Sequence, residues 1–251
     1  MKQIQEILNE FKTISLANMD GVKLMQRIDT KFSFSSDRLP GILQKLKEYY
    51  TVLNIQGTDI FTYKTLYYDT PELSLYLMHH NERMSRYKIR QRSYIDSNRG
   101  FFEVKFKNNK GHTIKNRMAQ NNASEILNEV EQQFVKKNVP IDPSLLKPSV
   151  QVNYQRITLV GVSERVTLDM DIEFVKDGLH YKLTNLVIAE VKQTRQNSSP
   201  VFKILKAEKI RETAISKYCL GIIWTNPDVK QNNFKEKIRT LKKITDDRNF
   251  N

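Results

Sequence analysis

Apolar and polar residues alternate along at least five segments of this chain. A period of two marks β-strands with one apolar and one polar face. In residues 101–107, Phe102, Val104 and Phe106 fall on one face, and Glu103, Lys105 and Lys107 fall on the other with Phe101. Residues 86–94 place Arg86, Lys88, Arg90 and Arg92 opposite Tyr87, Ile89 and Gln91. Residues 96–100 between them have turn composition, which predicts an antiparallel hairpin. Further alternation groups Arg27, Asp29, Lys31 and Ser33 in residues 24–34, and Thr113, Lys115 and Arg117 in residues 113–118. It groups Arg165, Thr167, Asp169, Asp171 and Glu173 in residues 164–174, and Ile188, Glu190 and Lys192 in residues 182–192. Residues 61–68 and 150–162 complete the β-rich set.

Helical spacing appears between these segments. Residues 3–17 carry Ile4, Ile7, Leu8, Phe11, Ile14 and Leu16. Ser36-Asp37 opens a predicted helix to residue 49, with Leu39, Ile42, Leu43 and Leu46 as its buried stripe. Residues 72–81 read as a short helix or extended segment. Residues 123–137 place Ile126, Leu127, Val130 and Phe134 on one side. Three prolines in residues 138–149 mark a connector, and a helix is expected over 200–211. Residues 233–248 form a basic amphipathic helix with Phe234, Ile238, Leu241 and Ile244 on one side, read as a packing element.

Composition sharpens this pattern. The chain has 251 residues, and 41 Lys+Arg against 28 Asp+Glu give a formal charge of +13, which implies an anionic partner. Hydrophobic content of 39% supports a packed core. A single cysteine, Cys219, excludes an intrachain disulfide. There is no run of eighteen apolar residues and no apolar signal core in residues 1–11, so a cytoplasmic protein is expected. The four histidines lack metal-ligand spacing, and no Walker-type glycine loop is present.

The charged rows are mostly basic, and two arrangements fit them. In one, the apolar faces meet in a sandwich and the charges are solvated outside. In the other, the sheet curls with its charged faces inward and amphipathic helices cover the apolar outside. The second arrangement requires an anion inside, because buried like charges repel and their desolvation is costly.

The ordered motifs Arg27-Ile28-Asp29-Thr30-Lys31-Phe32, Tyr67-Tyr68-Asp69-Thr70-Pro71, Lys88-Ile89-Arg90-Gln91-Arg92-Ser93-Tyr94 and Phe102-Glu103-Val104-Lys105 resemble the catalytic domain of the vacuolar transporter chaperone (VTC) family. Tyr154-Gln155-Arg156, Arg165-Val166-Thr167-Leu168-Asp169, Ala189-Glu190-Val191-Lys192 and Ser216-Lys217-Tyr218 followed by Gly221 extend the match over about residues 20–224. The resemblance implies an α+β fold of the triphosphate tunnel metalloenzymes, an eight-stranded antiparallel β-barrel with a basic lumen. It implies one domain over 1–251, with an N-terminal helix over 1–20, a tunnel barrel over 21–225 and a basic C-terminal helix over 226–251.

It further implies polyphosphate synthesis from ATP with Mn²⁺ or Mg²⁺ and no protein nucleophile. Lys31, Arg90, Arg92, Lys105, Lys115, Arg156 and Lys217 match the phosphate-binding set, and Tyr154 and Ser216 match phosphate hydrogen-bond donors. Glu190 matches the metal carboxylate, with Asp169 and Asp171 as alternatives and a salt bridge to Lys192 or Lys105 as its other reading. Arg117, Arg165 and Lys192 join the phosphate-facing rows by alternation. Glu103 shares the same face, where it could tether an arginine or help hold the metal.

The match has departures. The superfamily's acidic Glu-x-Glu-x-Lys first strand is Arg27-x-Asp29-x-Lys31 here, which favours the polymerase branch, and Ala214 stands where eukaryotic members have a lysine. A stand-alone catalytic module, as in bacterial relatives, is expected. ATP and polyphosphate or pyrophosphate are the implied partners. There is room for a membrane-protein partner, and no nucleic acid is expected. Hydrolysis of tripolyphosphate or a nucleoside triphosphate, and simple polyphosphate binding, are the rival functions.

Overall fold

The computed structural model describes residues 1–19, 28–120, 125–193 and 199–245. Eleven strands among them form one sheet. They are β1 (Thr13–Ile14), β2 (Ile28–Ser35), β3 (Thr51–Leu53), β4 (Ile60–Asp69), β5 (Arg86–Tyr94), β6 (Arg99–Lys107), β7 (Thr113–Ala119), β8 (Lys147–Val160), β9 (Glu164–Lys176), β10 (Leu179–Leu183) and β11 (Leu186–Gln193). Eight follow a continuous antiparallel path, β2-β11-β9-β8-β4-β5-β6-β7. β10 forms a hairpin on β9, β3 pairs with β8, and β1 runs parallel to β3.

The sheet curls strongly. β2 and β5 stand five steps apart on the path, about 24 Å if the sheet were flat. Yet Lys31 of β2 donates to the Ile215 carbonyl at 2.9 Å, and Lys88 of β5 donates to Oγ of the adjacent Ser216 at 3.0 Å. The charged faces therefore point inward. The path holds the expected eight strands, but among the described residues its edge strands β2 and β7 do not pair with each other. The expected closed barrel is thus a curled sheet with a seam. β7 is exposed along almost its whole length, which fits an edge strand.

Apolar outer faces are covered by helices, as the alternation requires. Phe32 and Phe34 of β2, Val187, Ala189 and Val191 of β11, and Val166 and Leu168 of β9 pack under α1 (Lys2–Leu8), α3 (Leu39–Leu46) and α6 (Pro200–Ala207). Ile89, Phe102 and Val104 pack with Leu127 and Val135 of the α5 (Glu129–Asn138) region. The remaining helices are α2 (Leu16–Met19), α4 (Ser74–His80), α7 (Lys217–Thr225) and α8 (Lys235–Thr245). Leu241 of α8 is fully buried, and the helix packs as a structural element. No helix among the described residues is long and apolar enough to cross a membrane.

Several elements differ from expectation for identifiable reasons. Arg27 and the start of its strand lie outside the described residues. α1 ends at Leu8, and Thr13–Ile14 becomes a short strand instead of continued helix. α3 begins only after a single 3₁₀ turn at Ser36–Arg38 and ends at Leu46. α5 starts at Glu129, because Asn128 and Glu131 form a reciprocal capping box. Its buried residues are Glu131 and Val135, while Ile126 and Val130 are exposed. Residues 182–192 are two strands, split by a turn at Asn185 with φ +57°. α6 ends at Ala207, short of residue 211.

Candidate functional site on the inner face

Strand register places the charged rows side by side. Residues directly opposite each other in an antiparallel pair share a face. Lys88, Arg90 and Arg92 of β5 stand opposite Lys105, Glu103 and Phe101 of β6. Lys105 and Glu103 stand opposite Lys115 and Arg117 of β7. On the other wall, Glu190 lies between Lys31 of β2 and Thr167 of β9, and Lys192 lies between Asp29 and Arg165. Asp169 faces Arg156 of β8, and Tyr154 faces Tyr63 of β4. The described strand residues matched to the phosphate-binding set, with Glu103, Arg117, Arg165, Asp169, Glu190 and Lys192, thus share the concave face.

A bulge alters one row. Asn153 pairs with Glu173 and Gln155 with Met170, so β9 spends three residues where β8 spends two, and Asp171 adopts φ +51°. The extra residue reverses the alternation. Phe174 stands opposite Val152, on the face of Asp169, while Glu173 turns to Asn153 and His180. Asp171 is exposed beside α1 and α3, with Met170, Asp37 and Asn185 around it. Asp171 and Glu173 are therefore not in the inner charged row, and Asp171 is not a metal candidate there.

The reversal gives α7 an apolar bed inside the curl, contrary to the expectation that all helices lie outside. A Cβ on Gly221 would meet Val150 Cγ2 at 3.0 Å and Phe174 Cδ1 at 3.1 Å. The Tyr218 ring stacks on Tyr67 at 4.9 Å, and its hydroxyl donates to Asp69. Asp69 also accepts from the backbone N–H groups of Leu75 and Tyr76 at 2.8 and 2.9 Å, at the start of α4. Ser216 caps α7, and Lys217 follows it into the inner face.

The inner cations fall into two groups. Glu103, with no exposed surface, accepts from Arg90 Nε at 2.7 Å and pairs with Lys115. Burial raises its carboxyl pKa, but Arg90, Arg92 and Lys115 outweigh burial and hold it well below the carboxylate range. Asp169, 1% exposed, is held by Arg156 and Lys217 in the same way and is also driven down against its burial. Glu190 pairs with Lys192, which together with Lys31 keeps it ionised against burial.

Lys31, Lys88, Arg92 and Lys105 form the second group, with no carboxylate within ion-pairing distance among the described residues. Arg92 donates to Thr65 Oγ1 at 3.3 Å and lies over the Tyr63 ring. Arg90, burial and Arg92 push the Lys105 pKa well below the lysine value. Burial, with Lys31 and Arg90, lowers that of Lys88. The field reaches Tyr67, whose phenol is lowered despite burial by Arg90, Arg92 and Lys88. Burial and Lys88 push His79 down to about 2, so it stands neutral. The Tyr154 hydroxyl is buried without a hydrogen-bond partner. Arg117 stacks over Phe101 at 4.7 Å on the exposed edge strand.

Lys88, Asp69 and Tyr218 join the site without having been selected from sequence. Lys88 sat in the same basic row as Arg90 and Arg92, a signal already sufficient to include it. The Asp69–Tyr218 bond spans 149 residues, and no periodicity announces it.

Among the described residues no three His, Cys, Asp or Glu side chains cluster as a metal site. The donor set fits a hydrated Mg²⁺ or Mn²⁺ held by one carboxylate and by substrate phosphates. Glu190 is ionised, and the opposing Thr167 Oγ1 is buried and unpartnered.

The fold is an antiparallel sheet curled on itself, with most of its helices on the outer face. Solved structures share it. A candidate adenylyl cyclase of Hippeastrum, described as having dominant triphosphatase activity, matches with a TM-score of 0.51 at 14% identity, covering 82% of this chain and 98% of its own. A candidate adenylate cyclase of Bacillus halodurans matches with a TM-score of 0.50 at 15% identity, covering 76% and 94%. No curated protein sequence matches the chain. The VTC domain matches residues 26–225, and the chain belongs to that family.

Proposed function

We propose that this protein is an ATP-dependent polyphosphate polymerase that works inside the basic curl. The observation that carries the reading is the group of cations left without a carboxylate, Lys31, Lys88, Arg92 and Lys105. Such a group stores electrostatic repulsion that a polyphosphate anion relieves. Arg90, Arg92 and Lys105 hold the triphosphate, the guanidinium forks matching phosphate oxygens and the lysine acting as a point charge. Tyr154 and Ser216 donate hydrogen bonds. Arg156, Lys217, Lys31, Lys115, Arg117, Arg165 and Lys192 hold the flanking chain.

A terminal phosphate oxygen of the chain attacks the γ-phosphorus in line. The bond from that phosphorus to the β-phosphate oxygen breaks, and ADP leaves. The acceptor oxygen is already ionised, so positioning and charge stabilisation carry the step and no general base is required. Glu190 is the residue that would hold Mn²⁺ or Mg²⁺, and the ion would supply neutralisation of phosphate charge.

The test is incubation of purified protein with ATP and Mn²⁺, followed by gel analysis of chain length. Long chains together with ADP are expected, and their absence over a range of primers overturns the reading. Triphosphate hydrolysis is the second reading, favoured by the activity described for the Hippeastrum neighbour. Free phosphate without chain growth would identify it. Tight polyphosphate binding without turnover would mark a binding module instead.

A further inference from the structure

We propose that Asp169 is an internal counter-ion that a bound phosphate chain displaces, and that this exchange sets how tightly the inner face holds its anion. The inference rests on reading that face as a triphosphate site. Arg156 grips Asp169 with a two-point fork, Nε to Oδ1 at 2.5 Å and Nη2 to Oδ2 at 2.8 Å. Lys217 reaches the same Oδ2 from the first turn of α7. A guanidinium fork joined by a lysine is also the donor set that seats a pair of phosphate oxygens. Asp169 therefore occupies the geometry that a phosphate would take.

The surroundings decide which group moves. Arg156 lies over the rings of Tyr63 and Tyr154, 5.0 and 5.2 Å from their centroids, and Lys217 lies 5.0 Å from that of Tyr154. Both cations are thus backed by aromatic faces, and the Asp169 side chain is the one left to turn away. Tyr154 carries the buried hydroxyl without a partner, next to both cations.

An entering anion consequently meets two kinds of wall. At Lys31, Lys88, Arg92 and Lys105 it gains attraction at once. At Arg156 and Lys217 it must first release Asp169, and the freed carboxylate repels it. Binding there is weakened, and departure is eased, because Asp169 returns to two cations that would otherwise be buried unpaired. A chain that must be gripped and then advanced or released benefits from such a returning counter-ion.

The experiment uses tripolyphosphate as the probe, without divalent metal, on wild-type, Asp169→Asn and Asp169→Glu proteins. Calorimetry gives affinity, and thermal unfolding gives the ligand-induced shift in Tm. Asp169→Asn is expected to unfold at lower temperature when free, because two buried cations lose their partner. It is expected to bind tripolyphosphate at least about tenfold tighter than wild type and to gain more in Tm from it. Asp169→Glu keeps a competitor and is expected to stay near wild-type affinity.

Weaker or unchanged binding by Asp169→Asn overturns the proposal and makes Asp169 a tether for Arg156 and Lys217. So does a variant that stays unfolded in saturating tripolyphosphate, or Asp169→Glu binding as tightly as Asp169→Asn. Unchanged metal-free affinity with loss of Mn²⁺-dependent turnover would make Asp169 a metal ligand instead. A wild-type protein that does not bind tripolyphosphate at all sinks the functional reading underneath.

Discussion

Lys105 shows how a single residue can weaken the fold in the service of a site. It stands opposite Lys88 and Lys115 in register, with Arg90 and Arg92 beside it, and no carboxylate among the described residues pairs with it. Replacement by Met keeps most of its volume and removes a like charge. Lys105→Met is expected to raise the Tm of the ligand-free protein by a few degrees and to weaken tripolyphosphate binding at least about tenfold. The sign with pH follows from linkage. The folded pKa of Lys105 is depressed, so the unfolded chain holds this proton more tightly. Its destabilising effect is full below that lowered value and fades as pH rises toward the ordinary lysine value. The gap in Tm between variant and wild type should therefore be widest at the acid end of the range in which the protein stays folded and narrow as pH rises toward about 10. A gap that is absent or widens with pH contradicts this. The identity of these cations was legible in the sequence, since alternation alone grouped Lys88, Arg90 and Arg92. Which of them lack a partner was not, because pairing depends on Glu103 reaching across to β5 and β7 and on Asp169 reaching to α7.

At the scale of elements, α7 fixes the position of Ser216 and Lys217, and its distance from the sheet depends on Gly221. Val150 and Phe174 are fully buried beneath it, so neither can withdraw easily from an added methyl group. Ala at this position gains about 1 kcal/mol of helix propensity but overpacks the contact by about 1–3 kcal/mol. Gly221→Ala is expected to lower Tm modestly, and Gly221→Val to lower it much further. Both should weaken tripolyphosphate binding, because Lys217 is carried away from the sheet and from Asp169 with the helix. Thermal unfolding with and without tripolyphosphate checks this, and a Gly221→Val protein with wild-type Tm and affinity would contradict the close approach. The strands and their hairpin were readable from alternation, whereas this packing was not. It requires Phe174 to face inward, and that depends on one extra residue at Asp171, whose composition looks like uninterrupted alternation. The late start of α5 was hidden for a similar reason. Local capping by Asn128 and Glu131 overrode an apolar spacing that began at Ile126.

Across the whole molecule, charge and topology act together. The chain carries a formal +13, and the curl gathers cations on one concave face. Among the described residues five carboxylates at the site, Asp29, Asp69, Glu103, Asp169 and Glu190, stand against Lys31, Lys88, Lys105, Lys115, Lys192 and Lys217 and against Arg90, Arg92, Arg117, Arg156 and Arg165. If attraction within ion pairs governed the ligand-free protein, added salt would screen it and lower Tm. The cations outnumber the carboxylates more than two to one, so repulsion governs instead. Added salt screens that repulsion, the Debye length in solution falling from about 10 Å at 0.1 M to about 3 Å at 1 M. Sodium chloride is therefore expected to raise the Tm of the ligand-free protein over this range. Tripolyphosphate at micromolar concentration should raise it further in low salt, and less as salt increases, because both anions relieve the same repulsion. A Tm that falls with salt, or a tripolyphosphate shift independent of salt, would mean that the paired residues dominate the inner face and that the unpaired group is not what draws the anion.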